Sequence, residues 1–239
     1  MESKKASIII PARNEGRLIQ RTLQSLLDNK IKSSEIIVVV NGSKDKTFEI
    51  ARRYSNKVLN FSEALGPSAA RNEGAKVANG DVFIFLDADT QVSDGVMQEI
   101  IKNFSGNLIG VCPATVNESG VDKKLRAKIF LAFKNFIHKT NIYKGSVAIL
   151  FCSRKVFLKA HGFDKNLWVG ELGDFIKRAV VCGAKYKFLD SCYVNTSMRR
   201  YEKKWGYTKT VIFWTGWKVR SLFKGSDKEL VKNYFGIKK

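Results

Sequence analysis

The chain is 239 residues long and 44% hydrophobic, and its 42 basic against 22 acidic residues leave a net charge of +20. These values exclude a disordered protein and fit one sizeable α/β domain with an appendage, while the basic excess attracts polyanions: nucleic acid, anionic lipid or phosphorylated small molecules. The four cysteines, Cys112, Cys152, Cys182 and Cys192, lack C-x-x-C spacing and read as reduced core residues of a cytosolic protein, with neither a zinc site nor a disulfide framework. Met1 to Ser7 offers no apolar signal region, and no run reaches the ~20 apolar residues of a membrane span.

Ser7 to Pro11 is an apolar run stopped by proline, as in a central parallel strand with its exit loop, Ala12 to Glu15. Asn14 is expected to cap a helix in which Leu18, Ile19, Thr22, Leu23, Leu26 and Leu27 recur at helical spacing. Glu35 to Val40 gives a second buried strand, with the polar tip Asn41 to Thr47 and a helix near Phe48 to Tyr54. A weak strand at Val58 to Phe61 precedes a helix over Ala69 to Ala78, stopped by Asn79-Gly80. Next come Val82 to Thr90, V-F-I-F-L-D-A-D-T, where a buried strand runs into two carboxylates. Alternating β and α units form a parallel sheet with ligands outside its carboxyl edge, so Arg13, Asn41, Asp45 and Asp89 are expected to converge there.

Farther on, Asp94 to Phe104 reads as an amphipathic helix and Leu108 to Val116 as a strand. Lys123 to Lys139 sets Leu125, Ile129, Ala132, Phe133, Phe136 and Ile137 on one helical face; the preferred reading buries that face in the core, and the alternative lays it on a membrane. A strand at Val147 to Cys152, a helix at Arg154 to Ala160, a helix from Asp174 to about Cys182 and a strand near Tyr186 to Leu189 complete the domain. From Met198 the composition changes: three of the four tryptophans lie among Lys and Arg, which suits either a helix docked on the domain or the headgroup region of a bilayer. The expected division is therefore a domain over 1–197 and a basic, aromatic segment over 198–239.

Asp87 and Asp89 offer two hard oxygen ligands, which suit Mg(II) or Mn(II) with water and substrate phosphate completing the shell. A solvated turn is the bland alternative, and D-x-D-x-T after an apolar strand also resembles the nucleophile loop of haloacid-dehalogenase-type phosphatases. That rival also needs a G-D-x-x-x-D motif, and Gly173-Asp174 is followed by Arg178 where the second Asp would stand. Charge alone motivates a nucleic-acid-binding module, for which the apolar run Val211 to Trp214 has no purpose.

Taken together, the motifs over residues 5 to 200 resemble a family 2 glycosyltransferase of the GT-A fold, similar to polyprenyl-phosphate sugar transferases. The residues that carry the likeness are I-I-I-P-A-R-N-E at 8 to 15, N-G-S-K-D-K-T at 41 to 47, A-R-N-E-G at 70 to 74, D-A-D at 87 to 89, and Phe151 to Asp164, with His161 in place of the first glycine of G-G-F-D. The resemblance implies an inverting, metal-dependent enzyme with an α/β, mostly parallel sheet and a UDP- or GDP-sugar donor. Pro11, Ala12, Arg13, Glu15, Asn41, Asp45, Arg71 and Asp87 would line the donor, and Asp89 with Asp87 would hold Mn(II) or Mg(II) on its diphosphate.

Two departures bear on mechanism. Val40 and Asn41 replace an acidic pair at the second strand tip, and Leu172 occupies the usual general-base position in Glu171-Leu172-Gly173-Asp174-Phe175. Glu171 and Asp174 are the carboxylates left for catalysis, with Glu171 a base if burial raises its pKa. A polyprenyl phosphate acceptor, already ionised, needs no base; a donor-binding protein without turnover is the third option. The lipid acceptor fits the tail best, so the expected protein is cytoplasmic and peripheral at an anionic membrane surface, with no nucleic-acid partner.

Overall fold

Runs of Ile, Val and Phe build the centre of the fold, because branched and planar side chains fill both faces of a pleated sheet. The computed structural model describes residues 4–29, 34–116, seven helical positions between 128 and 139, and 147–197. The central strands are β1 (Ala6–Ala12), β2 (Ser34–Asn41), β3 (Lys57–Phe61) and β4 (Val82–Leu86), joined by helices α1 (Ile19–Asp28), α2 (Thr47–Tyr54) and α3 (Pro67–Lys76). Downstream lie β5 (Thr90–Val92), α4 (Val96–Lys102), β6 (Leu108–Val111), β7 (Ala114–Thr115), β8 (Ile149–Ser153), α5 (Arg154–Lys159), α6 (Glu171–Val181), β9 (Lys185–Phe188) and β10 (Val194–Thr196).

Among the described residues, seven strands form the main sheet in the order β3-β2-β1-β4-β8-β6-β9, parallel except for β8, which runs antiparallel to β4 and β6. Strand order reverses between β1 and β4, and at such a switch point the loops leaving the two strands diverge to opposite faces and open a crevice. The tips of β1 and β4 therefore flank the place where a ligand fits. A smaller sheet, β5-β10-β7, follows directly from the β4 tip.

Each strand alternates between two cores. On one face Ile8, Ile10, Val38, Val40, Ile84 and Leu86 pack against Leu23 and Leu26 of α1 and Met97 and Ile100 of α4. On the other, Ile9, Val39, Phe83 and Phe85 meet Ala70 of α3, Phe157 of α5 and Phe175 and Ile176 of α6. Rings of Phe85, Phe157, Phe163 and Phe175 sit 4.6 to 6.0 Å apart in tilted, stacked and edge-on pairs, giving the carboxyl edge of the sheet a rigid apolar floor.

Several expectations need correction. Asn14 does not cap α1; it stands at φ 54° and its side chain accepts from the next loop instead. The strand expected over Leu108 to Val116 breaks at Cys112-Pro113, where Pro113 has no N–H to continue the ladder, and β7 joins the smaller sheet. Cys182 and Cys192 are half-buried rather than core residues, unlike Cys112 and Cys152. In the segment 123–139, Leu131 is buried, but Ile129 and Phe136 are 62% and 64% exposed, opposite to the core-facing reading. The reason is Asn135, whose amide accepts from Ala114 N–H at 3.1 Å and donates to Ala114 C=O at 2.9 Å, turning the side it shares with Leu131 inward. The tail over 198–239 lies outside the described residues.

Candidate active site

The loops leaving β1 and β2 are laced together. Asn14 N–H donates to Ser43 Oγ (3.0 Å), Lys44 N–H to Asn14 Oδ1 (2.8 Å), Glu15 N–H to Thr47 Oγ1 (2.9 Å) and Gly16 N–H to Asp45 Oδ2 (3.0 Å). Asparagine tolerates the left-handed backbone that this exchange requires at position 14. Asp45 Oδ1 also accepts from the N–H and hydroxyl of Thr47. Partial burial pushes the Asp45 carboxyl up, but the hydrogen bonds from Thr47 and Gly16 outweigh it and hold its pKa below the ordinary value. Asp45 thus clasps the two loops.

Asn41 is buried, its Oδ1 accepting from Leu65 N–H (2.6 Å) and its Nδ2 donating to Gly66 C=O (3.3 Å). It pins the segment entering α3. Pro11, Ala12, Arg13 and Glu15 stand at the β1 tip beside the switch point, with Ala12 and Glu15 buried and Arg13 half-buried. Burial lowers the Arg13 pKa.

Three distant segments meet at Arg71. Its Nη2 donates to Asp87 Oδ1 at 2.9 Å and its Nη1 to Glu171 Oε1 at 3.0 Å, joining α3, the β4 tip and the first residue of α6. The Arg71 side chain is 5% exposed and that of Asp87 36%, so one carboxylate is enclosed with the guanidinium while the other opens toward solvent. Beneath the cation lies Phe163, with its ring centroid 5.7 Å from Cζ. Burial raises the Glu171 pKa, the Arg71 charge pulls it back, and Asp87 pushes it up. The α6 N-terminus also favours a carboxylate at this position.

The neighbours of Arg71 explain the A-R-N-E-G run. Asn72 Oδ1 accepts from Phe163 N–H (2.9 Å) and Nδ2 donates to Phe163 C=O (2.7 Å), so one side chain fixes the loop that delivers Glu171. A Cβ on Gly74 would lie 2.5 Å from Ile9 Cγ2 and 3.0 Å from Val39 Cγ2, so only glycine lets α3 sit this close to the sheet. Ser68 Oγ adds a bond to Leu167 C=O at 2.6 Å. Asn72 and Ser68 were not among the expected site residues, although Asn72 falls inside a recognisable motif.

Leu172 is 3% exposed and packs in the apolar core, so Glu171 alone of that pair reaches the site. Asp174 pairs with Arg178 one turn along α6, at 2.7 and 2.8 Å. Asp87 and Asp89 bracket a turn closed by Thr90 N–H to Asp87 C=O (3.1 Å), and Asp89 C=O accepts from Ser197 N–H (3.2 Å). Both are half-buried, and Asp87 retains acceptor capacity beyond its bond to Arg71. Among the described residues no cluster of three or more His, Cys, Asp or Glu could hold a metal. Two carboxylates on one turn therefore fit an open shell such as Mg(II) or Mn(II) adopts on phosphates, and do not fit a closed all-protein cage.

Residues 7–161 match the sequence profile described as Glycosyl transferase family 2. The chain belongs to that family. This membership sets aside the phosphatase reading of D-A-D-T. Within the curated relatives, glycosyltransferase AglE of Haloferax volcanii is 30% identical over 192 residues, covering 76% of this chain and 63% of its own. Dolichol-phosphate mannosyltransferase of Pyrococcus furiosus is 39% identical over 115 residues, 44% of this chain and 32% of its own. The chain thus spans less than two thirds of the length of these relatives. Among solved structures, the mannosyltransferase PcManGT of Pyrobaculum calidifontis, in complex with GDP-Man and Mn2+, superposes with a TM-score of 0.68 at 14% identity, covering 87% of this chain and 60% of that one. This likeness establishes the shared GT-A fold of the family. Among the described residues, no helix is long and apolar enough to cross a membrane.

Proposed function

We propose that this chain transfers a sugar from a UDP- or GDP-linked donor to a polyprenyl phosphate, inverting the anomeric carbon and using Mn(II) or Mg(II) on the donor diphosphate. The observation that carries this reading is the Asp87, Arg71 and Glu171 bridge at the sheet's switch point, with Asp89 two residues beyond Asp87. Family membership supports sugar transfer, the Pyrobaculum neighbour's GDP-Man and Mn2+ support the donor class and the ion, and the Pyrococcus relative's name supports a lipid-linked acceptor.

Asp89 and Asp87 would hold the ion, which when bound offsets the negative charge on the departing nucleoside diphosphate. Arg71 fixes Asp87 in one orientation and adds a positive charge. Glu171, enclosed and ion-paired, anchors the far end of that guanidinium. Pro11, Ala12, Arg13 and Glu15 line the nucleotide, while Asn41 and Asp45 shape its floor by holding the loops around it. A phosphate oxygen attacks without surrendering a proton, so the absence of a carboxylate at Leu172 leaves no step unserved. Asp174, tied to Arg178, steadies α6.

The acceptor is met at an anionic lipid surface. Ile129, Ala132 and Phe136 are exposed on one side of their helix, next to the exposed Lys128, and the segment 123–139 contains no acidic residue. The segment 198–239, rich in Trp, Lys and Arg, forms a second contact beyond the catalytic unit over 1–197.

Two measurements test the proposal. Asp89→Ala should abolish transfer and the Mn(II)-dependent rise in melting temperature given by UDP- or GDP-sugars. Full activity in that variant would remove the central assignment. Labelled sugar from the wild-type chain should partition into organic solvent with polyprenyl phosphate; label found only on a soluble hydroxyl acceptor would refute the lipid part while leaving sugar transfer standing.

A further inference from the structure

Two of the links between the main sheet and the smaller one contain a feature that sugar transfer does not use. Cys112 follows β6 and Cys192 precedes β10, and their sulfurs lie 3.6 Å apart. The segments carrying them run side by side, held by Leu189 N–H to Val111 C=O at 2.9 Å and by Val194 N–H to Pro113 C=O at 3.0 Å. Backbone bonds on both sides of the pair hold the two segments together, and bridging brings the sulfurs closer by about 1.5 Å, the difference between this contact and an S–S bond. Cys112 is 3% exposed, whereas Cys192 is half-buried and reachable.

We propose that Cys112 and Cys192 form a reversible disulfide when the protein meets hydrogen peroxide, and that the bond braces the turn bearing Asp87 and Asp89. Cys192 attacks the peroxide as its thiolate: an S–O bond forms, the O–O bond breaks, and the departing hydroxide takes up the proton that the Cys192 thiol released and leaves as water. Cys112 then attacks the sulfenic sulfur, so the S–S bond forms, the S–O bond breaks, and a second water carries away the Cys112 proton. Two thiols lose two electrons and one peroxide gains them. The reactivities are divided accordingly, since the contact with Cys112 lowers the Cys192 pKa against burial and the Glu99 charge, and the contact with Cys192 together with burial raises that of Cys112. The brace follows from connectivity: β10 pairs with β5, whose first residue is Thr90, and Ser197 N–H binds Asp89 C=O.

The remaining cysteines are internal controls. Cys152 is fully buried, which pushes its thiol far up, and Cys182 is half-buried with its Sγ 3.7 Å from Lys159 C=O. The test treats the reduced 239-residue chain with a few equivalents of hydrogen peroxide, blocks free thiols and maps tryptic peptides without reductant. The expected result is one linked pair, 112 with 192, a melting temperature higher by about 5 to 10 °C and reversal of both by dithiothreitol. Cys112→Ser should leave a dimedone-reactive Cys192, and Cys192→Ser should leave Cys112 reduced. A native chain in which Cys192 stays reduced, passes to sulfinic acid unbridged, or pairs with Cys182 would overturn the proposal.

Discussion

Replacing Arg71 with methionine keeps most of the side-chain volume and removes the cation between Asp87 and Glu171. Both carboxylates then face each other without compensation, and the two are not equivalent. Glu171 is 11% exposed at the side chain and bears most of the penalty; Asp87, 36% exposed, is screened by water and is discounted. Breaking one side of an enclosed ion pair costs about 3 to 5 kcal/mol, and the partial exposure here argues for about 3. For a chain of this size that is a fall in melting temperature of about 6 to 12 °C.

The pH dependence separates this cause from simple loss of packing. The Glu171 pKa is raised in the folded state, so the folded chain holds that proton more tightly than the unfolded one. The resulting stability is fully present below the ordinary carboxylate pKa and is lost as pH rises through the raised value. Without Arg71 the downward pull disappears, the raise grows, and this window extends upward in pH. Differential scanning fluorimetry at pH 5.0 and 7.5 should show the gap between wild type and Arg71→Met narrowing at the lower pH, and Glu171→Gln added to Arg71→Met should recover stability at pH 7.5. A gap of the same size at both pH values, with no recovery in the double variant, would refute the electrostatic account.

Asn72→Ala removes two bonds to the Phe163 backbone and should cost about 2 kcal/mol by urea titration, with faster proteolysis in the 161–170 loop; unchanged cleavage there would show that the loop does not depend on the clamp. His161 sits at φ 58°, where glycine carries no Cβ penalty, so His161→Gly should stabilise by about 1 kcal/mol, and a lower melting temperature would contradict that reading. Gly74→Val should destabilise by about 3 kcal/mol or fail to fold, because its first carbon already meets Ile9 and Val39; wild-type stability would mean that α3 is free to shift outward.

Much of the frame was readable because its signals are local. Ile8 to Ile10, Val38 to Val40 and Val82 to Leu86 are apolar on consecutive positions, the mark of strands covered on both faces, and the polar tips after them fell on one edge. Short elements in the smaller sheet escaped notice. The strands at 90–92 and 194–196 span only three residues each, too few for alternation to register, and they gain stability from each other across more than a hundred positions. The same holds at the site: Asp87 and Arg71 each stand within readable motifs, yet their link to Glu171 and the clamp by Asn72 on Phe163 join positions about ninety to a hundred apart. Periodicity also misjudged Ile129 and Phe136, because an apolar stripe has the same spacing whether it meets a core or lies open, and Asn135 decided the matter.

Helix α3 is a keel with no slack. Ala70 presses into the core, Arg71 grips two carboxylates, Asn72 moors the Phe163 loop and Gly74 grazes the sheet, all within five positions. Rotating it by even a few degrees to suit one contact would disturb the other three, so this stretch should resist laboratory evolution. Libraries aimed at new donors belong at the exposed positions 44, 46, 62 and 63, where side chains can vary while the keel and the Asp45 clasp stay still.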